Sequence, residues 1–237
     1  MQNKLTYNDI FIDFDDTLCD THGGAQLALE TLFVDCGLER YFDKAEDFYT
    51  AYWQSNIELW QQYGRGAITR DYLIIERFRR PLSKGRGLEV DQQYCQQMSE
   101  HFLELCVENT RALVGALELV DYLRRQGYRL HLASNGFHEV QYRKIRNCGF
   151  DGCFDTVILS EDAGVNKPAR GFFDYAFRVS KATPSATIMI GDGWDSDMRG
   201  ALDYGLATIF FNRFPQYLAP ESVTHEVHSL LEITKIL

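Results

Sequence analysis

The stretch Ile10-Phe11-Ile12-Asp13-Phe14-Asp15-Asp16-Thr17-Leu18 constrains this chain more than any other. An apolar run that stops abruptly in three acids is an unusual end for a buried strand. Read as a strand, its period of two sets Asp13 and Asp15 on one face and Asp16 on the other. Two carboxylates then sit side by side at a strand end, where open α/β sheets bind ligands. At about 4 Å and an effective dielectric near 20, two such charges repel by roughly 4 kcal/mol. A domain stable by only about 5–15 kcal/mol needs a cation or a shared proton to carry that pair. The plain alternative is an acidic turn that starts a helix.

The rest of the chain says where that strand belongs. Between Cys19 and Asn109 every segment reads as helix. The pattern predicts helices over 21–36, over the aromatic-rich 43–63, over 69–80 with a stop before Pro81, and over 90–108. Beyond residue 109 helices alternate with short apolar runs, the signature of a parallel sheet. Strands are expected at 128–133, 156–159, 186–190 and 206–211, and helices at 116–126, 138–147, 171–179 and 196–204, with a helical tail from Ser229. Arg129 and His131 are polar for a buried strand, so that strand is expected to be partly covered. The first strand belongs with the later ones. The expected architecture is α/β, a Rossmann-like parallel-sheet core (1–18 and 110–237) split by an inserted all-helical cap (19–109).

Composition narrows the class of function. A net charge of −10 argues against a nucleic-acid polymer or an anionic membrane as partner, since either needs a basic face. No apolar run approaches the roughly 20 residues of a membrane span. Asp9 and Asp13 interrupt any signal-peptide core, and the six cysteines show neither CxxC nor metal-finger spacing. A cytoplasmic protein with reduced thiols is expected, as a monomer or homodimer.

Four positions at strand ends or loops are read together: Asp13 with Asp15, Ser134, Lys167, and Asp192 with Asp197. Three carboxylates from separate strand ends make a hard oxygen site suited to Mg²⁺. Ser134 and the backbone donors after it, Asn135 included, make an anion site at a helix N-terminus. Lys167 adds a point cation for a phosphate or for the nucleophile. Each residue alone has an ordinary structural reading, as a turn, a solvated lysine or a first-turn acid.

This combination resembles the haloacid dehalogenase superfamily, in its phosphatase branch with a helical cap after the first motif. Asp13-Phe14-Asp15-Asp16-Thr17 matches the family's DxDx(T/V); Leu130–Ser134, Lys167-Pro168, and Gly191-Asp192 through Asp197 match the later motifs. Dehalogenases proper carry no acid at the position of Asp15, so the resemblance implies phosphoryl chemistry. It implies Asp13 as nucleophile and Asp15 as general acid and base. Mg²⁺ would be held by Asp13, the Asp15 backbone carbonyl and Asp192, with Asp197 acting through water, while Ser134, Asn135 and Lys167 would hold the phosphoryl oxygens. The substrate would be a small phosphomonoester.

A closer resemblance runs through Ser134-Asn135-Gly136-Phe137, Gln141, Gly149-Phe150, Phe154-Asp155 and Ser160-Glu161, and through Leu59-Trp60, Tyr63, Gly66, Ile68 and Arg77-Phe78 in the cap. It is similar to pyrimidine 5′-nucleotidases and implies pyrimidine nucleoside 5′-monophosphates as substrates. On that reading Trp53, Trp60 or Tyr63 stacks a base, and Arg65 or Arg77 meets a second polar group. Packing of these residues in the cap's own core is the alternative. A sugar-phosphate or phosphoglycolate phosphatase, a β-phosphoglucomutase-like phosphomutase and a non-catalytic phospho-aspartate signalling module are the competing functions.

Overall fold

A computed structural model describes residues 7–213 and 222–237. Residues 1–6 and 214–221, assigned to the core from sequence, lie outside the described residues. In chain order the elements are β1 (Asp9–Ile12), α1 (Thr21–Asp35), α2 (Ala45–Gly64), α3 (Arg70–Leu82), α4 (Gln92–Glu108), α5 (Ala116–Arg125), β2 (Arg129–Ser134), α6 (His138–Asn147), β3 (Thr156–Leu159), α7 (Ser160–Ala163), α8 (Arg170–Ser180), β4 (Thr187–Gly191), α9 (Arg199–Tyr204), β5 (Ala207–Phe211) and β6 (His225–Val227). They form two compact units, residues 1–20 with 111–237, and residues 21–110.

The larger unit holds one parallel six-stranded sheet in the order β3-β2-β1-β4-β5-β6. Successive strands move outward from β1 in both directions, so a topological switch point falls between β1 and β4. Alternation sorts the core. Ile10 and Ile12 join Leu130, Leu132, Ile188, Ile190 and the α5 residues Leu119 and Leu123 on one face. Phe11 points the other way, among Ile158, Met189, Phe172 and Phe173. Both faces are covered, which is why these strands read as continuous apolar runs. Among the described residues no helix is long and apolar enough to cross a membrane.

β2 is not partly covered, as its polar residues suggested. Only Arg129 is exposed, and His131 is buried. Asp9 accepts from both, at 2.7 Å from an Arg129 Nη and 2.9 Å from His131 Nε2, so these polar groups enter the interior with a partner.

The smaller unit packs four helices around Leu29, Leu32, Phe48, Tyr52, Phe78 and Phe102. Side-chain caps start two of them: Thr69 Oγ1 accepts from the Tyr72 amide and Asp91 Oδ1 from the Tyr94 amide. Contrary to the expected stop, α3 runs through Pro81. The proline removes one intrahelical bond close to the helix end, where the loss is small, and both Pro81 and Leu82 are buried. The segment read as a helix over 196–204 is a π-turn, Trp194–Met198, followed by α9. The tail is a 3₁₀ helix, Leu230–Lys235. The edge strand β6 was not expected; its three residues are too few for alternation to show.

Candidate active site

β1 ends at Ile12, but the ladder continues one bond further, because the Asp13 amide donates to Ile190 O at 2.9 Å. Asp13 is thereby fixed at the switch point. The chain then turns sharply. The Leu18 and Cys19 amides both return to Phe14 O, and Asp16 takes a left-handed φ of 60°, a conformation aspartate tolerates better than most residues. This turn corrects the strand-alternation reading of the acids, since Asp15 and Asp16 lie outside the strand.

Asp13 instead meets carboxylates from another strand. Asp192 follows β4 and Asp197 lies in the π-turn. Carboxylate oxygens of Asp13, Asp192 and Asp197 all lie within 4.8 Å of one another. Gly191 allows this approach, for a Cβ there would stand 2.5 Å from Asp197 Oδ2. Lys167, in the loop between α7 and α8, is fully enclosed. Its Nζ lies 2.6 Å from Asp13 Oδ1, 2.6 Å from Asp197 Oδ1 and 2.5 Å from Ala133 O.

The charges are unbalanced. One ammonium faces three buried or half-buried acids. Burial pushes the Asp13 carboxyl up to about 7, with Asp197 and Asp15 adding to the rise and Lys167 opposing it. Asp192 is raised for the same reason, burial first and then Asp13, Asp197 and Asp16, while a hydrogen bond from Thr17 opposes. Burial works against the Lys167 charge, but Asp13 and Asp197 outweigh it and raise the ammonium. A three-oxygen donor set with excess negative charge fits a hard divalent cation better than it fits any neutral occupant.

Asp15 has separate company. Its Oδ2 accepts from Gln141 Nε2 at 2.7 Å and from Ser134 Oγ at 3.3 Å, and its Oδ1 pairs with Lys144 Nζ. Ser134, the last residue of β2, also accepts from Gln141 Nε2 at 2.8 Å and from the Gly136 amide at 2.9 Å. Gly136 leaves room for Gln141, whose side-chain amide a Cβ there would approach to 2.5 Å. Asn135, expected on a phosphate, spends its side chain on Lys167: Nδ2 donates to Lys167 O at 3.0 Å and Oδ1 accepts from Lys167 N at 2.8 Å. Its side chain acts as a clamp that aims Lys167, because both amide ends are engaged.

The core residues named from sequence therefore converge. The cap residues do not form one group. Arg77 is buried in the smaller unit, donates through Nε and Nη2 to Ser99 Oγ, and stands over the Phe78 and Phe102 rings. It is a packing residue there, a correction to its assignment as a specificity contact. Trp53 donates to Gln26 at 2.9 Å and stacks on His22. Trp60 and Tyr63 are half-buried and meet edge-to-face at 5.7 Å.

Sequence reasoning gave no role to Thr17, Gln141 or Lys144. Thr17 Oγ1 donates to Asp192 Oδ1 at 2.9 Å and accepts from the Asp192 amide at 3.0 Å, joining the first and last motifs. The i, i+3 spacing of Gln141 and Lys144, directly after the Ser134 loop, was the available signal.

A parallel sheet whose carboxyl edge carries a lysine-bound aspartate, a second acid and an acid cluster defines a class of hydrolase. Residues 9–205 match the haloacid dehalogenase-like hydrolase family, and the chain belongs to it. It is an enzyme of the family's phosphatase type. The chain is 32% identical to the HAD-hydrolase YfnB of Bacillus subtilis (strain 168), over 98% of this chain and 95% of that one. It is 31% identical to the pyrimidine 5′-nucleotidase YjjG of Escherichia coli (strain K12), over 97% and 98%. The crystal structure of magnesium-bound YfnB from Bacillus subtilis superposes with a TM-score of 0.85 at 28% identity, covering 98% of each chain.

Proposed function

We propose that this enzyme hydrolyses phosphomonoesters through an aspartyl-phosphate on Asp13, with Mg²⁺ at the acid cluster, and that its substrates are pyrimidine nucleoside 5′-monophosphates. One observation carries the chemistry. Asp13 sits at the switch point with one oxygen on Lys167, while a second acid, Asp15, is held apart from it by its own donors.

In the first step an Asp13 oxygen attacks phosphorus, the bond to the leaving oxygen breaks, and Asp15 gives that oxygen its proton. In the second, water attacks the same phosphorus, Asp15 takes the water's proton, and inorganic phosphate departs from a regenerated Asp13. Lys167, aimed by the Asn135 clamp, and Ser134 hold the non-bridging oxygens. When bound, Mg²⁺ would be held by Asp13, the Asp15 carbonyl and Asp192, with Asp197 behind them, and would neutralise charge on the phosphoryl group.

The substrate assignment is supported by the Asn135-Gly136-Phe137 loop and by the likeness to a pyrimidine 5′-nucleotidase over nearly the whole chain. A base stacked on an aromatic ring gains about 1–3 kcal/mol, which a glycolate cannot match. That is roughly ten- to a hundredfold in specificity.

A panel of nucleotides, hexose phosphates and phosphoglycolate tests it. UMP and dTMP are expected to give the highest kcat/KM. A sugar phosphate that equals them removes the nucleotide assignment and leaves a general sugar-phosphate phosphatase. Trp60→Ala is expected to lower nucleotide turnover at least tenfold more than aryl phosphate turnover, if about 1.4 kcal/mol of stacking is lost.

A further inference from the structure

The phosphatase chemistry uses one buried pair only as the donors that keep Asp15 apart from Asp13. Lys144 and Gln141 lie three residues apart on α6, so both side chains leave the same face of the helix. Both are buried, at 5% and 1% exposure, in a helix whose other charged residues largely face solvent. A buried lysine carries a desolvation cost of several kcal/mol unless a charge meets it. Here the charge is Asp15. Lys144 Nζ pairs with Asp15 Oδ1 and also stands 5.8 Å over the Phe14 ring, next to Asp15 in sequence. Gln141 Nε2 reaches the other oxygen, Oδ2, at 2.7 Å.

We propose that Lys144 and Gln141 are positioning residues for Asp15, fixing the direction in which its carboxyl group presents a proton or receives one. This rests on the reading of Asp15 as the general acid and base. Three features support it. The two donors take different oxygens of one carboxylate, so together they fix its rotation about the Cβ–Cγ bond as well as its place. The same Gln141 nitrogen touches Ser134 Oγ at 2.8 Å, which ties the direction of Asp15 to the residue at the phosphoryl site. And the sequence keeps the space open: at Gly136 a side chain would collide with the Gln141 amide. A lysine needed only for solubility would not be buried, and a glutamine needed only for helix formation would not require a glycine opposite.

The test compares leaving groups. An alkyl phosphate expels a poor leaving group and needs the proton from Asp15, whereas 4-nitrophenyl phosphate expels a good one and needs it far less. kcat/KM reports only the steps through formation of the aspartyl-phosphate, so the comparison isolates proton delivery. General acid catalysis contributes typically 10²–10⁴-fold. In Lys144→Met, and separately in Gln141→Leu, kcat/KM for the alkyl monoester that the wild type turns over best is expected to fall at least ten times further than kcat/KM for 4-nitrophenyl phosphate. Lys144→Arg is expected to recover part of that loss.

A double-mutant cycle gives the second readout. In an Asp15→Asn background, Lys144→Met is expected to add less than a twofold change, since nothing is left to aim. Equal losses on both phosphates in the variants that fold, or full additivity with Asp15→Asn, overturns the proposal. A wild-type protein that hydrolyses neither ester overturns the phosphatase chemistry instead, so the two failures are distinguishable.

Discussion

β1 carries a buried acid at each end, and the two are treated in opposite ways. At the amino end Asp9 meets Arg129 and His131, so a single carboxylate has a cation and a ring nitrogen to itself. At the carboxyl end Asp13 shares one lysine with Asp197, and Asp192 brings a third carboxylate within 4.8 Å of both. In the first arrangement the carboxylate charge is met within the protein. The second leaves two negative charges unmatched when all three acids are ionised, in the low-dielectric setting where that costs most. The difference is one of charge: the carboxyl end gathers more acid than the lysine beside it matches.

The largest expected effect comes from neutralising each acid in turn. Asp13→Asn should lower phosphatase turnover by about 10⁴-fold or more, as loss of a nucleophile does. It should also raise the melting temperature of the metal-free protein at pH 8, because the site disfavours a charge there. Asp9→Asn should do the reverse, leaving turnover within a few-fold and costing about 2–3 kcal/mol of stability. That figure lies below the loss for a fully buried pair because Arg129 is half-exposed. Thermal melts and steady-state assays of the two variants check both halves. If the two substitutions shift stability in the same direction, the contrast between the ends fails.

A second effect follows from the raised Asp13 carboxyl. Its folded value of about 7 lies above the usual carboxylate range near 3.9. Between those values the folded state holds a proton that the unfolded state has lost, so stability falls as pH rises through that window. Below pH 4 the penalty is absent, and above pH 7 it is complete, on the order of 4 kcal/mol. Denaturant titrations of chelator-treated protein at pH 5 and pH 8 are expected to show the lower stability at pH 8, with Mg²⁺ restoring it. A metal-free protein more stable at pH 8 than at pH 5 would contradict the charge imbalance.

The smallest effect tests the neutral support at the crowded end. Thr17→Val removes both hydrogen bonds to Asp192 while keeping the shape of the side chain. Divalent-cation affinity should weaken about tenfold, the usual cost of losing a partner of a metal ligand, with little change in the fold. Calorimetric titration measures it.

Part of the cluster at the sheet's carboxyl edge was legible in the sequence because a polar group that ends an apolar run is costly to bury unless something there uses it. Asp13, Ser134 and Asp192 each end or directly follow an apolar run, whereas Lys167 and Asp197 sit in polar stretches and stood out only in company with the others. What the sequence concealed were residues that look ordinary where they stand. Lys144 on an amphipathic helix reads as solvated, and only the fold shows it turned inward. Asn135 has the chemistry of an anion ligand, and only the path of the Lys167 loop shows its amide engaged at both ends. Arg77 among the aromatic residues of the smaller unit has the chemistry of a substrate contact, yet Ser99 and two phenyl rings enclose it. Pro81 obeyed helix geometry because it falls in the last turn, where one missing bond matters little. The neighbourhood of Asp15 was misplaced because the left-handed turn at Asp16 ends the strand alternation.

The central claim is that the carboxyl edge completes itself with a divalent cation, and calorimetric titration of Mg²⁺ into chelator-treated protein tests it most directly. One site per chain is expected at pH 8. Affinity should fall about tenfold for each pH unit below 7, as a proton must leave for the cation to enter, and binding should be lost in Asp192→Asn. Affinity that is independent of pH, or unchanged in Asp192→Asn, would contradict the account.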